Sequence, residues 1–299
     1  MELRSKARIV VLFSPLVAIG LIWVSGRQGA MIGEIPVFDV CILVAFLIQW
    51  LAFLPAFFYQ TEHYFDLSGS LTYIFAAILA LIYGAANDPR GVVICLLIMV
   101  WALRLGWFLF TRIKKSGFDS RFKDIMPDWS VYLMTWTLQA IWVSITASCA
   151  LVAVTSTNKI PLDSWAVFGI TLWSIGFLIE VVADQQKRAF RAEVKNAGKF
   201  ICSGLWSWSR HPNYLGEMML WLGIAIIAFP VLSGWQLATL GSPVFVCYLL
   251  IKVSGVEMLE RQNDSTWGSD PDYLAYKNRT STLLPLPKIK PSAQSFPSK

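Results

Sequence analysis

Charge is scarce in this chain. Asp, Glu, Lys and Arg make up only 15% of its 299 residues, against 56% hydrophobic, whereas soluble domains are roughly a quarter charged and about half apolar. That argues against an ordinary soluble enzyme. The five cysteines form no CxxC pair and no cluster with the two histidines, so neither a disulfide framework nor a structural metal is indicated. Cys41, Cys95, Cys149 and Cys247 lie in apolar stretches and only Cys202 in a polar one. No GxGxxG strand-turn-helix fingerprint is present, which removes the sheet-based way of holding a dinucleotide. Internal repeats and low-complexity tracts are also lacking. The formal charge of +6 is not gathered into a dense basic tract and accompanies no nucleic-acid motif, so nucleic acid is excluded as a partner.

What the chain has is apolar length and aromatic residues, with 14 Trp and 19 Phe, as helices in contact with lipid require. A helix spans a membrane with about 20 apolar residues. Eight such stretches occur, near 9–25, 38–58, 71–86, 91–110, 130–155, 162–183, 214–231 and 235–256. The last two are divided around Phe229-Pro230-Val231-Leu232-Ser233-Gly234, where Pro and Gly predict a tight turn, with a kinked or partly re-entrant helix as the alternative. The first stretch follows Arg4, Lys6 and Arg8 and is read as a retained helix, not a signal peptide, because no clear small-x-small cleavage site follows it.

Basic residues accumulate on cytoplasmic loops. Eight spans place Arg112, Lys114, Lys115, Arg121, Lys123, Lys187, Arg188, Arg191, Lys195, Lys199, Arg210 and both basic ends on one side, and only Arg27, Arg90 and Lys159 on the other. Both termini are therefore expected in the cytosol. The expected fold is all-α, a multi-pass bundle of about eight spans. Its expected organisation is an N-terminal helix and loop (1–36), one membrane domain (37–285) and a disordered Pro- and Ser-rich tail (286–299).

Ionisable residues at span ends are functional candidates. Arg104, Glu180, Asp184, Glu217 and Glu257 all fall toward the inner ends of their helices, which points to a polar chamber open to the cytosol. Glu180, Asp184, Lys187, Arg188 and Arg191 recur at three- and four-residue steps on one helical face, and Gly198 is expected to stop that helix. Such a stripe is either a salt-bridged solvated surface or an array in which arginines grip phosphate and carboxylates orient them. The following string, Ser209-Arg210-His211-Pro212-Asn213-Tyr214-Leu215-Gly216-Glu217, puts Pro212 in the first turn of a helix. The free amides of that turn beside Arg210 and His211 make an anion-binding arrangement. Asn213 and Glu217, one turn apart, offer an amide and a carboxylate to a neutral hydrogen-bonding ligand.

On these residues the chain resembles the steroid 5α-reductase-like family of membrane proteins, a group similar to sterol C14 reductases and isoprenylcysteine carboxyl methyltransferases. The resemblance covers roughly 60–285, with support from the run Tyr64 to Tyr73, Arg104-Leu105-Gly106, Asp119 to Phe122, Gln139 with Trp142, Asp184 to Lys187 and Tyr273 to Thr280. It implies a seven-helix reductase-like core to which the first helix is an addition, and NADPH held within the helical bundle. Asp184, Arg188 and Arg191 match the cofactor-binding helix, Asn213 and Glu217 the contacting pair, and Arg210, His211 and Tyr214 the same motif. It also implies reduction of a C=C bond conjugated to a carbonyl in a lipid-like or steroid-like substrate. A glutamate and a tyrosine polarise the ketone in that family. Glu62 and Tyr73 are the candidates here, with Asp66 nearby. Glu180 stands where steroid-specific members have an amide. The alternatives are an S-adenosylmethionine-dependent methyltransferase, since His-Pro-x-Tyr occurs there too, and a lipid- or sterol-binding protein without turnover. A bacterial inner membrane is expected ahead of an endoplasmic reticulum as the host, with membrane lipid as a partner.

Overall fold

The computed structural model describes residues 2–25, 29–84 and 88–284. The expected disordered tail and Arg27 lie outside these. The described residues are mostly helical: α1 (Glu2–Val24), α2 (Val37–Phe58), α3 (Phe65–Gly84), α4 (Pro89–Ser116), α5 (Trp129–Thr155), α6 (Ser164–Ala192), α7 (Pro212–Ala228), α8 (Ser242–Tyr248), α9 (Val256–Trp267) and α10 (Pro271–Arg279). The only described sheet is the two-residue pair β1 (Met31–Ile32) and β2 (Ile35–Pro36). Among the described residues eight segments are long and apolar enough to cross a membrane, as the sequence predicts. This is an integral, multi-pass α-helical membrane protein.

Local chemistry sets the helix ends. Asp88 caps α4 by accepting from the Arg90 amide, and Pro89 supplies a pre-set φ at its first position. Asp128 caps α5 through the amides of Ser130 and Val131. Helix α6 stops at Ala192, before Gly198, because a 3₁₀ turn over Val194–Asn196 follows and the Asn196 side-chain amide donates to the Phe190 carbonyl at 2.9 Å. Gly198 instead supplies a left-handed turn, with φ +75°. The break expected near 229–234 is a 3₁₀ turn, Phe229–Val231, followed by a capping box in which Ser233 and Gln236 bond each other's backbone. Beyond α8 the last span passes through a π-helical turn, Leu249–Val253, and runs on to Trp267.

The chain forms two compact units. The first comprises Met1–Thr171 and Trp221–Phe245. Its centre is α5, whose apolar window is 83% buried against 17% for α1. Phe53, Phe65, Phe122, Met126, Tyr132 and Trp136 form a core cluster near one end. Membrane helices gain little from apolar burial against lipid and associate through close packing and hydrogen bonds. Accordingly, Gln49 donates to Thr72 Oγ1 at 2.7 Å, the Gln139 amide donates to the Phe65 carbonyl at 3.2 Å, and Trp50 Nε1 donates to Thr137 Oγ1 at 3.1 Å. At the other end Arg90, fully buried, donates to the carbonyls of Ile160, Pro161 and Ile227 and pairs with Asp163 at 2.7 Å.

The second unit comprises Leu172–Leu220 and Val246–Lys299. Within it α6 and α7 cross at two glycines. A Cβ on Gly176 would lie 2.6 Å from the Gly216 carbonyl oxygen, and one on Gly216 would lie 2.5 Å from that of Gly176 and 2.7 Å from the Glu180 amide nitrogen. The loop after α6 is tied down in turn. Gln186 accepts from the Leu205 amide, Trp206 Nε1 donates to the Ala183 carbonyl, and the Tyr276 hydroxyl donates to the Trp206 carbonyl at 2.6 Å. Phe200 packs against Trp267 of α9 and Tyr273 and Tyr276 of α10 as one aromatic group.

Candidate functional site

The glycine crossing holds α6 and α7 at backbone contact, so side chains two turns further along α6 meet the first turn of α7. Asn213 donates from Nδ2 to Asp184 Oδ1 at 3.2 Å, and Asp184 is buried. Lys187 places its ammonium 4.5 Å from the Trp206 ring centroid, a cation–π contact that fixes both groups. Arg188 and Arg191 follow on the same helix with exposed side chains. Pro212 opens α7 as expected, and Tyr214 stacks on His211 with ring centroids 5.7 Å apart and planes 4° from parallel. Gly255 closes on the same tyrosine, since a Cβ there would lie 2.9 Å from Tyr214 Cε2. Glu180 is buried beside Gly216, and Glu217 is half-buried one turn beyond Asn213.

Arg210 has a different employment from the one its motif suggests. Its Nε and Nη2 donate to the two carboxylate oxygens of Glu260 at 3.1 and 2.8 Å, Nη1 donates to the carbonyls of Lys277 and Thr280, and Nη2 also donates to Thr282 Oγ1. These five bonds match the five N–H donors of a guanidinium. With the Arg210 amide donating to the Ser281 carbonyl and Ser209 bridging to Ser281, the residue clamps the segment after α10 against the start of α7. A phosphate would have to compete for every donor.

His211 is also buried, and its Nε2 lies 2.8 Å from Glu260 Oε1. Burial pushes the imidazole below its ordinary value of 6.5; the bond to Glu260 works against that shift, while Lys187 and Arg210 add to it. Glu260 was not among the residues expected from sequence. It lies three residues after Glu257 on α9 and about 50 from Arg210, and only the fold joins them.

Of the substrate-side expectations, Glu62 and Tyr73 lie in the first unit with different neighbours. Glu62 is buried just before α3 and accepts from the Asp119 amide at 2.9 Å. Tyr73 is eight residues into α3, roughly 12 Å along its axis. It packs in an aromatic group with Trp101 and Trp221, at centroid distances of 5.1 and 5.7 Å. Asp66 pairs with Arg112 at 3.5 Å. Asp119 chelates Arg121; although burial alone would raise its pKa, the hydrogen bonds and charge of Arg121 hold it below the usual carboxylate value. Among the described residues no group of three or more His, Cys, Asp or Glu could hold a metal ion.

Fold and site together define a membrane-embedded helical protein with a polar, cation-bearing cluster at the end of its sixth and the start of its seventh span. The family described as "Protein of unknown function (DUF1295)" matches residues 52–280, and the chain belongs to this steroid 5α-reductase-like family. An uncharacterized protein of Schizosaccharomyces pombe is 25% identical over 181 residues, which is 50% of this chain and 52% of that protein. The 3-oxo-5-alpha-steroid 4-dehydrogenase 1 of Bos taurus is 33% identical over 70 residues, 23% of this chain and 27% of the bovine protein. The chain thus spans about half the length of the first relative and about a quarter of the second. No solved structure matches significantly.

Proposed function

We propose that this protein is a membrane-embedded reductase that uses NADPH to reduce a C=C bond conjugated to a carbonyl in a lipid-like substrate. Family membership supports the reductase class. The observation that carries the cofactor reading is the donor set of the second unit. Lys187, Arg188 and Arg191 present three cations within five residues of one helix, beside a carboxylate–amide pair, Asp184 with Asn213. Cations suit phosphates, and a carboxylate with an amide suits ribose hydroxyls. The set fits a phosphorylated dinucleotide and suits S-adenosylmethionine poorly, since that ligand has no phosphate and carries a sulfonium cation.

In this reading Arg188 and Arg191 bind phosphate, Asp184, Asn213 and Glu217 orient the sugar and amide portions, and His211 and Tyr214 form a flat wall. Arg210 acts one step back, holding the segment that backs the site. NADPH when bound supplies hydride. Tyr73 and Glu62 are assigned to the substrate carbonyl, where a donor stabilises the negative charge that builds on oxygen. A phenol serves as a donor in its neutral form, whereas Glu62 needs a protonated carboxyl for the same task. Residues 37–285 form the reductase-like body and 1–36 an appended helix and loop. A bacterial inner membrane is the proposed host.

Titration of the purified protein in nanodiscs with NADPH, NADH and S-adenosylmethionine tests the assignment. We expect NADPH to bind tightest, and Arg188→Ala and Arg191→Ala each to weaken it about tenfold or more, a lost charge-assisted contact being worth roughly 1.5–3 kcal/mol. Binding of S-adenosylmethionine alone would replace the reductase by a methyltransferase. NADPH oxidation that persists unchanged in both Glu62→Gln and Tyr73→Phe would remove those residues from the chemistry.

A further inference from the structure

Glu260 occupies a position that neither the stripe on α6 nor the motif at α7 accounts for. Its Oε1 lies 3.1 Å from Arg210 Nε and 2.8 Å from His211 Nε2, and its Oε2 lies 2.8 Å from Arg210 Nη2. One carboxylate therefore serves both residues of the Arg-His pair, with Lys277 further off at 4.0 Å. An ionised carboxylate only accepts hydrogen bonds. Paired on both oxygens with a guanidinium, it is held in that role, so the imidazole nitrogen facing it must carry the proton. A neutral imidazole has one N–H and one lone pair, and the partner of the first decides where the second lies.

We propose that Glu260 is a positioning residue of this site, joining Arg210 and His211 into one unit and holding the imidazole as its Nε2–H tautomer. Nδ1 is then a hydrogen-bond acceptor for a ligand hydroxyl or amide, and His211 does not serve as a cation for phosphate. Geometry restricts the ring further: Tyr214 stacks on one face nearly parallel to it, and Gly255 packs against Tyr214 without a side chain between. The ring is thus fixed by its Nε2 partner and by its stacking neighbour. The charged groups acting on it are Lys187 from α6, Arg210 from its own loop and Glu260 from α9. The burial that disfavours the imidazolium agrees with this role. The ligand half of the proposal rests on the nucleotide reading of the site; the tautomer half does not.

The chain has two histidines, so His63→Gln leaves His211 as the only imidazole. Ring ¹⁵N spectra of that full-length parent in detergent, at pH 8, report the tautomer directly. A single Nε2–H form is expected in the parent and a mixture of both tautomers in Glu260→Ala. Glu260→Asp, whose shorter carboxylate reaches its partners less well, should fall between them. NADPH affinity should weaken about tenfold in Glu260→Ala. An Nδ1–H ring in the parent, or spectra unchanged by Glu260→Ala, would overturn the proposal. If that variant does not fold, the parent spectrum and Glu260→Asp decide it by the same criteria. Altered tautomers with unaltered NADPH affinity would remove the ligand half. The expected tautomers in a parent that binds no NADPH would leave Glu260 as the positioning residue of His211 and defeat the cofactor reading alone.

Discussion

Arg210 and His211 show how a motif can sit where its sequence suggests while its side chains are engaged within the protein. A basic pair before a helix start suggests anion binding, yet the guanidinium makes five bonds inside the protein and the imidazole is buried on a carboxylate. The burial of His211 has a consequence for stability. Its folded pKa lies below the ordinary 6.5, so over that interval the unfolded chain binds a proton that the folded chain does not. The group's contribution to stability is complete above about pH 6.5 and is lost as pH falls through the folded value. Thermal unfolding followed from pH 8 to pH 5 should show a decline that is shallower in His211→Gln than in wild type, and equal slopes would contradict it. The α6 stripe was legible because its spacing is local. Glu260 was not, because a contact across 50 residues leaves no periodic trace, and Arg90 likewise read as a loop cation although it is fully buried among three carbonyls and Asp163.

At the scale of elements, the site depends on how closely α6 and α7 approach. Gly176 and Gly216 face each other with no room for a methyl group, and the atoms in the way are backbone: the Gly216 oxygen at 2.6 Å and the Leu220 nitrogen at 2.8 Å from a Cβ on Gly176. Neither can rotate aside, so Gly176→Ala must push the helices apart, at a cost of about 1–3 kcal/mol. Two turns along α6, the same displacement would stretch the Asp184–Asn213 bond and should weaken NADPH. Gly241→Ala, with nothing within 4 Å of the added methyl group, is the control and should stay within about 0.5 kcal/mol of wild type. Thermal unfolding and NADPH titration of both variants check this, and equal effects would show that the crossing does not matter. Span positions were readable from apolar length, and the start of α7 from its proline. The crossing was not, because a glycine in a membrane helix does not announce which neighbour it meets.

For the whole molecule the open question is which way the bundle faces, and the ion pairs sharpen the answer. Of the basic residues assigned by sequence to the sparse side, the two that are described are paired, Arg90 with Asp163 and Lys159 with Asp88. Of those assigned to the other side, Lys114, Lys115, Lys123, Arg188, Arg191 and Lys199 have exposed side chains, and an excess of basic residues is what cytoplasmic loops carry. The loop between α6 and α7, with the proposed nucleotide site at its edges, should therefore face the cytosol. The cysteines allow a direct test. Cys41, Cys95 and Cys149 are buried, Cys247 is half-buried within a span, and Cys202 lies outside the spans in that loop. A membrane-impermeant maleimide should label a single thiol in inside-out vesicles and none in right-side-out ones, and Cys202→Ser should abolish the labelling. Labelling of Cys202 in right-side-out vesicles would turn the bundle over and take the cation cluster away from the compartment that supplies a soluble reduced coenzyme. The reductase reading would then fail on access alone.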